Sequence, residues 1–389
     1  MGYKATVQRE IKRFNLITWI ISFVLPLFFC LLICVIFAKG SPTDLPIGIL
    51  NQDNSEISRT ITRNIDALPS VKIKYEVQSL KEGEELLRTG KIYGFIAIEK
   101  DFQKNLYTFK QPKLLFYYNN QRVLTGGIIS KEINTTIQSM LIGIDAKIKS
   151  KAGLPTQEAI KQSNLINVVD HIRSNPYFNY QYFLSLIAFG HLIQIHLILM
   201  IVWVIGKEFK HGTTKEWLNT ANNSILIAFL GKATPYFVIF SILFAVLYFV
   251  YFILYNTPYY GNFLIGILAT ILFIITCFSL AIIFISLNGN LRYSLSASAF
   301  YVAMGFAFAG ITYPVMAMPL FAQLFSATMP LNHWVKIMID QSLREIPTIY
   351  NMKYFLALII ITTISLCFLP RLKALCNDEK RWYQEWKNF

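Results

Sequence analysis

Five stretches of this chain carry no Asp, Glu, Lys or Arg: residues 14–38, 182–205, 233–291, 293–335 and 354–370. An α-helix needs roughly 20 apolar residues to cross hydrocarbon, because lipid offers no partner to an exposed backbone amide. Runs of this length leave helices crossing a bilayer as the fold to expect. The third run holds two crossings, broken at "NTPYYGN" (256–262), and the fourth holds one crossing plus irregular material. Six transmembrane helices follow, near 17–38, 182–205, 226–255, 262–287, 293–315 and 353–370. Composition agrees: 54% of the 389 residues are hydrophobic and 15% charged, with mean hydropathy +0.45, outside the range of soluble domains. The first run is too long for the apolar core of a cleaved signal and no small-residue cleavage pattern follows, so it reads as a retained anchor.

A net charge of +14 points to nucleic acid in a soluble protein; in a membrane chain its placement gives orientation, since Lys and Arg beside the spans stay cytoplasmic. Lys4, Arg9, Lys12 and Arg13 precede the first span, while Lys207, Lys210 and Lys215, with Lys232 nearby, follow the second. Arg292 follows the fourth, and Arg371, Lys373, Lys380, Arg381 and Lys387 follow the last. Six alternating helices put all four groups on one side, with both termini cytoplasmic and no nucleic-acid partner. The five cysteines (30, 34, 277, 367 and 376) avoid residues 39–181 and show no metal spacing.

The chain divides into a cytoplasmic amphipathic N-terminus with the first span (1–38), an extracytoplasmic domain (39–181), spans two to six (182–370) and a cytoplasmic tail (371–389). The second part has the turn chemistry and alternation of an α/β domain in the order β-α-β-α-β-β. "PIGILNQD" and "SVKIKYEVQ" read as strands, the latter with Val71, Ile73, Tyr75 and Val77 on one face. Between them a helix starts at Asn54 and Ser55 and carries Ile57, Ile61, Ile65 and Leu68 at helical spacing. A long helix over 121–152 carries an apolar stripe from Ile129 through Ile133, Ile137, Leu141 and Ile144 to Ile148; it packs on its own sheet or stands off to meet a partner. Pro176, Tyr177, Phe178, Tyr180 and Tyr182 suit a water–lipid boundary.

Catalytic readings are thin. No GxxxxGK[ST] loop is present, and "LGKAT" (230–234) lacks the upstream glycine, so ATP enters only through another protein. His191 and His196 lie in the second span, but five residues at 100° each turn them about 140° apart, so they cannot share a metal as an i, i+4 pair does. An enzyme using these or His333 lacks an accompanying acid or nucleophile. The segment 316–346 reads as re-entrant and amphipathic. Pro314, Pro319 and Pro330 stop the fifth helix early and leave broken pieces, candidates for a path or outer gate. Lys336, Asp340 and Arg344 then put charges on one face of a helix at the outer surface or of a solvated, salt-bridged one.

One cytoplasmic stretch, "GKEFKHGTTKEWL" (206–218), is densely charged between two spans. Its acids and bases look too exposed and too few for a pocket; Gly212 permits a sharp bend and Thr213 can cap the next helix. A short charged elbow joining two spans is what a partner needs to push on both. Here the chain resembles the permease subunits of ABC-2 type ATP-binding-cassette exporters, in the branch with a large external domain between the first two spans. The family's motif after its second span, an acid, a Gly-Thr pair, a further acid and a leucine, is matched by Glu208, Gly212, Thr213, Glu216 and Leu218. "SNPYFNYQYFL" is similar to its Asn-Pro segment, "FAGITYPVMAMPLFAQLFSATMPLNHWVKIM" to its proline signature after the fifth span, and "PIGILNQDNS" to its first external strand. Where the family usually carries a second Arg or Glu in the elbow, this chain has Phe209, Lys210 and His211.

The resemblance implies a multi-pass protein of the bacterial inner membrane that moves a hydrophobic or amphipathic substrate, such as a drug or lipid, outward. It would have no catalytic residue or cofactor of its own, with ATP-Mg on separate cytoplasmic ATPase subunits. It also implies pairing with a second copy or a sibling permease, contact with membrane lipid, and a periplasmic adaptor as a further candidate partner. The five elbow residues would couple to the ATPase, which docks between the elbow and the N-terminal segment. A competing reading is a membrane-anchored receptor or assembly factor that uses the external domain without transport.

Overall fold

The computed structural model describes the chain apart from residues 1, 109, 111, 122, 152, 156, 159–173, 176–178, 288, 311–312 and 379–389. The boundary residues Pro176, Tyr177 and Phe178 and the tail cations Lys380, Arg381 and Lys387 lie outside the described residues. Two compact units form, one of Met1–Gly40 with Arg173–Phe389 and the other of Ser41–Ile172.

The second unit runs β1 (Leu45–Asn51), α3 (Glu56–Asp66), β2 (Val71–Glu76), α4 (Leu80–Arg88), β3 (Gly94–Ile98), α5 (Phe102–Tyr107), β4 (Leu114–Tyr118) and α6 (Val123–Lys151); α1 and α2 belong to the first unit. Its sheet has the order β2-β1-β3-β4, parallel except for the antiparallel β4. Covered on both faces, β3 is buried along its whole length. Ile96 and Ile98 join Ile61, Ile65, Ile129 and Ile133 on one side, and Phe95 and Ala97 join Val77 and Ile92 on the other. Ser55 and Ser79 begin α3 and α4 by accepting from Ser58 N and Glu82 N.

Two details depart from the expected pattern. A one-turn helix, α5, follows β3 and buries Phe102, a piece too short to show a periodicity. Val71 and Val77 also face opposite sides of the sheet. The β1–β2 register shifts at Ile47/Gly48, and this bulge reverses the alternation along β2. The first half of the α6 stripe packs on its own sheet through Ile129, Ile133 and Ile137, whereas Ile144 and Ile148 stay half-buried.

In the first unit, α1 (Gly2–Lys12) precedes α2 (Leu16–Ile36). The chain resumes with α7 (Gln181–Lys210), α8 (Thr214–Thr220), α9 (Ile225–Leu254) and α10 (Phe263–Ser286). It ends with α11 (Leu291–Ala303), α12 (Gly305–Phe308), α13 (Leu320–Thr328), α14 (Pro330–Ser342), α15 (Met352–Leu366) and α16 (Leu369–Asn377). Among the described residues, five helical stretches are long and apolar enough to cross a membrane: α2, α7, α9, α10 and Thr348–Asn377, which holds α15 and α16.

The stretch expected as the fifth span is broken. Helix α11 has 13 residues, about 20 Å at 1.5 Å per residue against a hydrocarbon core of about 30 Å. Gly310 at φ +77° ends the helical path beyond α12. Leu291 packs beside Gly206, and a Cβ at Gly305 would lie 3.2 Å from both Gln194 Nε2 and His191 Nδ1, so α11 climbs antiparallel along α7. There Gln194 Oε1 accepts from Leu331 N at 2.9 Å, satisfying an amide in the first turn of α14. Helix α14 does not lie on a surface as its charge spacing implied. Trp334 is fully buried, stacked on Phe273 at 5.1 Å, and Asp340 is buried between Arg344 (3.2 Å) and Asn351 (2.9 Å). Eleven of its thirteen residues are buried, which a surface helix cannot accommodate.

Candidate functional site

Helix α7 ends at Lys210, and Gly212, at φ +67°, turns the chain into α8. A residue with a Cβ is strained in this left-handed region. Thr213 occupies the position before α8, but its hydroxyl makes no cap; it donates to Glu208. The elbow is therefore closed by a side-chain contact across the bend. Trp217 and Leu218 pack inward, and the Trp217 indole donates to Ala228 O at 3.1 Å, binding α8 to the first turn of α9.

Glu208, read from sequence as exposed, is fully buried. Arg9 Nη2 lies 3.0 Å from one of its oxygens and Lys232 Nζ 2.7 Å from the other, which Arg13 also contacts. Lys232 reaches on to Glu10 Oε2 at 2.9 Å, and the Tyr236 hydroxyl donates to Glu10 Oε1 at 3.0 Å. Two carboxylates and three cations thus join α1, the end of α7 and the start of α9. A charge taken out of water needs this density of partners, since a single buried ion loses several kcal/mol of hydration. Glycines permit the close approach: a Cβ at Gly231 would lie 2.6 Å from Thr6 Cβ, and one at Gly2 would lie 3.1 Å from the Ala221 backbone. Helix α1 accordingly lies directly on α8 and α9.

The C-terminal helix reaches the same end of the bundle. Thr214 Oγ1 donates to Cys376 O at 3.0 Å, and Arg371 Nε donates to Ser286 O at 2.8 Å. The four basic segments identified in sequence therefore converge, as a shared aqueous side demands. What faces outward in the elbow is Lys210, His211, Gly212, Lys215 and Glu216; the Glu216 side chain is 73% exposed, 3.8 Å from Arg9.

The matched region of a family comparison runs from the first residue of α2 to the first of α16 and takes in the whole elbow: residues 16–369 match the family described as "ABC-2 family transporter protein". The chain belongs to the ABC-2 family. As an ABC-2 protein it is a multi-pass membrane permease subunit of an ABC exporter, a class that pairs with an ATP-binding-cassette ATPase. Arg9, Glu10 and Arg13 precede the region that matches the ABC-2 family. No curated protein matches the chain.

Of the expected coupling residues, Glu208, Thr213 and Leu218 are turned into the ABC-2 permease, while Gly212 and Glu216 face outward. Sequence reasoning missed Lys232 as a counter-charge of Glu208, and Glu10 as the second carboxylate that Lys232 holds. The signal was present, because Lys232 is a lone cation inside the apolar helix α9, and such a residue calls for a named counter-charge. The prolines sit at breaks: Pro314 before the turn Val315–Ala317, Pro319 before α13 and Pro330 at the start of α14. The histidines have separate surroundings: His191 packs against Phe306, His196 bonds Leu192 O and His333 bonds Ala327 O.

Proposed function

We propose that this chain is the permease of an exporter that carries a hydrophobic or amphipathic substrate outward, powered by a separate cytoplasmic ATPase. The observation that supports this most is the Glu208-centred ion network, which ties α1, α7 and α9 together behind an exposed elbow. In this reading the ATPase contacts Lys215, Glu216 and the outer face of α1. Glu208 does not touch the ATPase. It passes the movement on, because the network makes the N-terminal helix and two spans move as one body.

The network end is the cytoplasmic end, with both termini there and Ser41–Ile172 on the far side of the inner membrane. The crossing between α10 and α15 is the fifth of six, made in pieces by α11 to α14. Two copies, or one with a sibling, enclose the path, and the breaks at Pro314, Pro319 and Pro330 lie along its outer part. Non-helical backbone at membrane depth is stable only where protein or a water-lined cavity covers it. An adaptor on the far side is a further partner in this reading.

Co-purification with the cognate ATPase, followed by substrate-stimulated ATP hydrolysis in liposomes, tests the reading. Wild type should retain the ATPase, and charge reversal at Glu216 should lower the stimulated rate. Failure of any ATP-binding-cassette ATPase to associate, or labelling of a cysteine placed at Lys215 from outside the cell, would sink it.

A further inference from the structure

The unit Ser41–Ile172 contains a cleft of about 990 Å³ that none of the transport machinery uses. It opens beyond the carboxyl ends of β1 and β2, two neighbouring parallel strands. Ligands of open α/β sheets settle outside the carboxyl ends of the strands; in this strand order the switch point lies between β1 and β3, and the cleft reaches it through Asn51, Gln52 and Lys100. Its size is that of a pocket for a small organic molecule rather than a single ion.

The lining is basic. Arg59 and Arg63 stand on α3 four residues apart, so both guanidinium groups project from one helix face, and Lys100 follows β3. Glu76 is the one carboxylate among the lining residues. Among the described residues neither Arg59 nor Lys100 has an ion-pair partner, and Arg63 makes only a long contact, 3.4 Å, with Thr60 Oγ1. Two like charges at i, i+4 disfavour a helix unless something of opposite sign lies between them.

Two amides in the first turn of α3 are already occupied. Ser58 N bonds Ser55 Oγ and Ile57 N bonds the Gln103 side chain, so recognition falls to the guanidinium groups. Amide side chains of Asn51, Gln52 and Gln78 add neutral hydrogen-bonding groups around them.

We propose that this cleft binds a phosphate-bearing polyanion, held by Arg59 and Arg63 in the forked geometry that guanidinium shares with phosphate, with Lys100 as a third charge. The phosphates belong either to a soluble molecule or to a lipid headgroup. The site stands apart from the transport reading and does not depend on it.

Full-length protein in uncharged detergent, titrated with inorganic tripolyphosphate at low salt, tests the site by calorimetry. The expected result is saturable binding at one site per chain that weakens steeply with salt. The Arg59→Gln/Arg63→Gln double variant should bind at least tenfold more weakly, and Glu76→Gln more tightly. Lys147→Gln, which removes an exposed cation away from the cleft, should bind as wild type does. These positions are exposed, and unchanged thermal unfolding would establish that the variants fold. Native mass spectrometry of the same preparations with added phosphatidylglycerol identifies the source: lipid retained by wild type and lost in the double variant means a headgroup, and no such difference means a soluble anion. Absence of saturable tripolyphosphate binding, equal affinity in wild type and double variant, or an equal loss in Lys147→Gln would overturn the proposal.

Discussion

Lys232 Nζ lies 2.7 Å from Glu208 Oε1, joining the third long apolar helix to the end of the second with neither side chain more than 3% exposed. A pair so enclosed contributes less through its own attraction than through what its loss would leave behind. Lys232 also holds Glu10, so it ties the N-terminal helix to both.

Lys232→Met should lower the stability of the purified protein by about 3–5 kcal/mol, the usual cost of stranding a buried charge. Glu10 bears most of it, keeping only the Tyr236 hydroxyl among the described residues, while Glu208 retains Arg9 and Arg13. Adding Glu10→Gln to Lys232→Met should recover part of the loss, a non-additivity read from unfolding midpoints in a double-mutant cycle.

Glu216→Lys should behave differently. Its side chain is 73% exposed and its contact with Arg9 is 3.8 Å, so stability should change by less than about 1 kcal/mol. On the proposed docking, ATPase association should nevertheless fall. Equal unfolding temperatures with a reduced yield of co-purified ATPase would separate an interface role from a folding role.

At Gly212, φ +67° excludes a cheap Cβ. Gly212→Ala should cost about 1–2 kcal/mol, and Gly212→Asn less, because its side chain tolerates the left-handed region. Thermal unfolding of the two variants beside wild type checks the order.

Asp66 supplies a pH dependence. The hydrogen bond from Lys72 (2.9 Å), followed by that from Ile73 N (2.9 Å), holds its carboxyl below the ordinary value. A carboxylate with a depressed folded-state pKa stabilises above its unfolded pKa, and the contribution disappears as pH falls through the folded one. The Asp66 side chain is 36% exposed, so screening keeps the gain below about 1 kcal/mol. Asp66→Asn should therefore be slightly less stable than wild type at pH 7, with the gap closing on acidification through the carboxylate range. A gap that widened in acid would refute this.

Much of the organisation was legible because hydrocarbon imposes a length and a composition on anything that crosses it. The four unbroken spans near 17–38, 182–205, 226–255 and 262–287 lie within or close to the observed helices, whereas the fifth, read as 293–315 and stopped by Pro314, breaks earlier, after Ala303 and again at Gly310. The strands Leu45–Asn51 and Gly94–Ile98 were readable from apolar residues bounded by turn residues. Less legible was any feature decided by a neighbour far along the chain. Helix α14 has the charge spacing of a surface helix, yet Asn351 and Arg344 satisfy Asp340 inside the bundle. A one-residue bulge reversed the face of Val77.

Sequence alone determined that the chain is a membrane protein, where its long helices run, and that a charged elbow with a glycine at its bend follows the second of them. These properties depend on local composition and on solvent, which act residue by residue. Tertiary structure alone decided that Glu208 is buried, that its counter-charges are Lys232, Arg9 and Arg13, and that the N-terminal helix is locked to the elbow. Such pairings join residues some 24 to 199 positions apart, and burial of a charge depends on what closes over it, which no local pattern records.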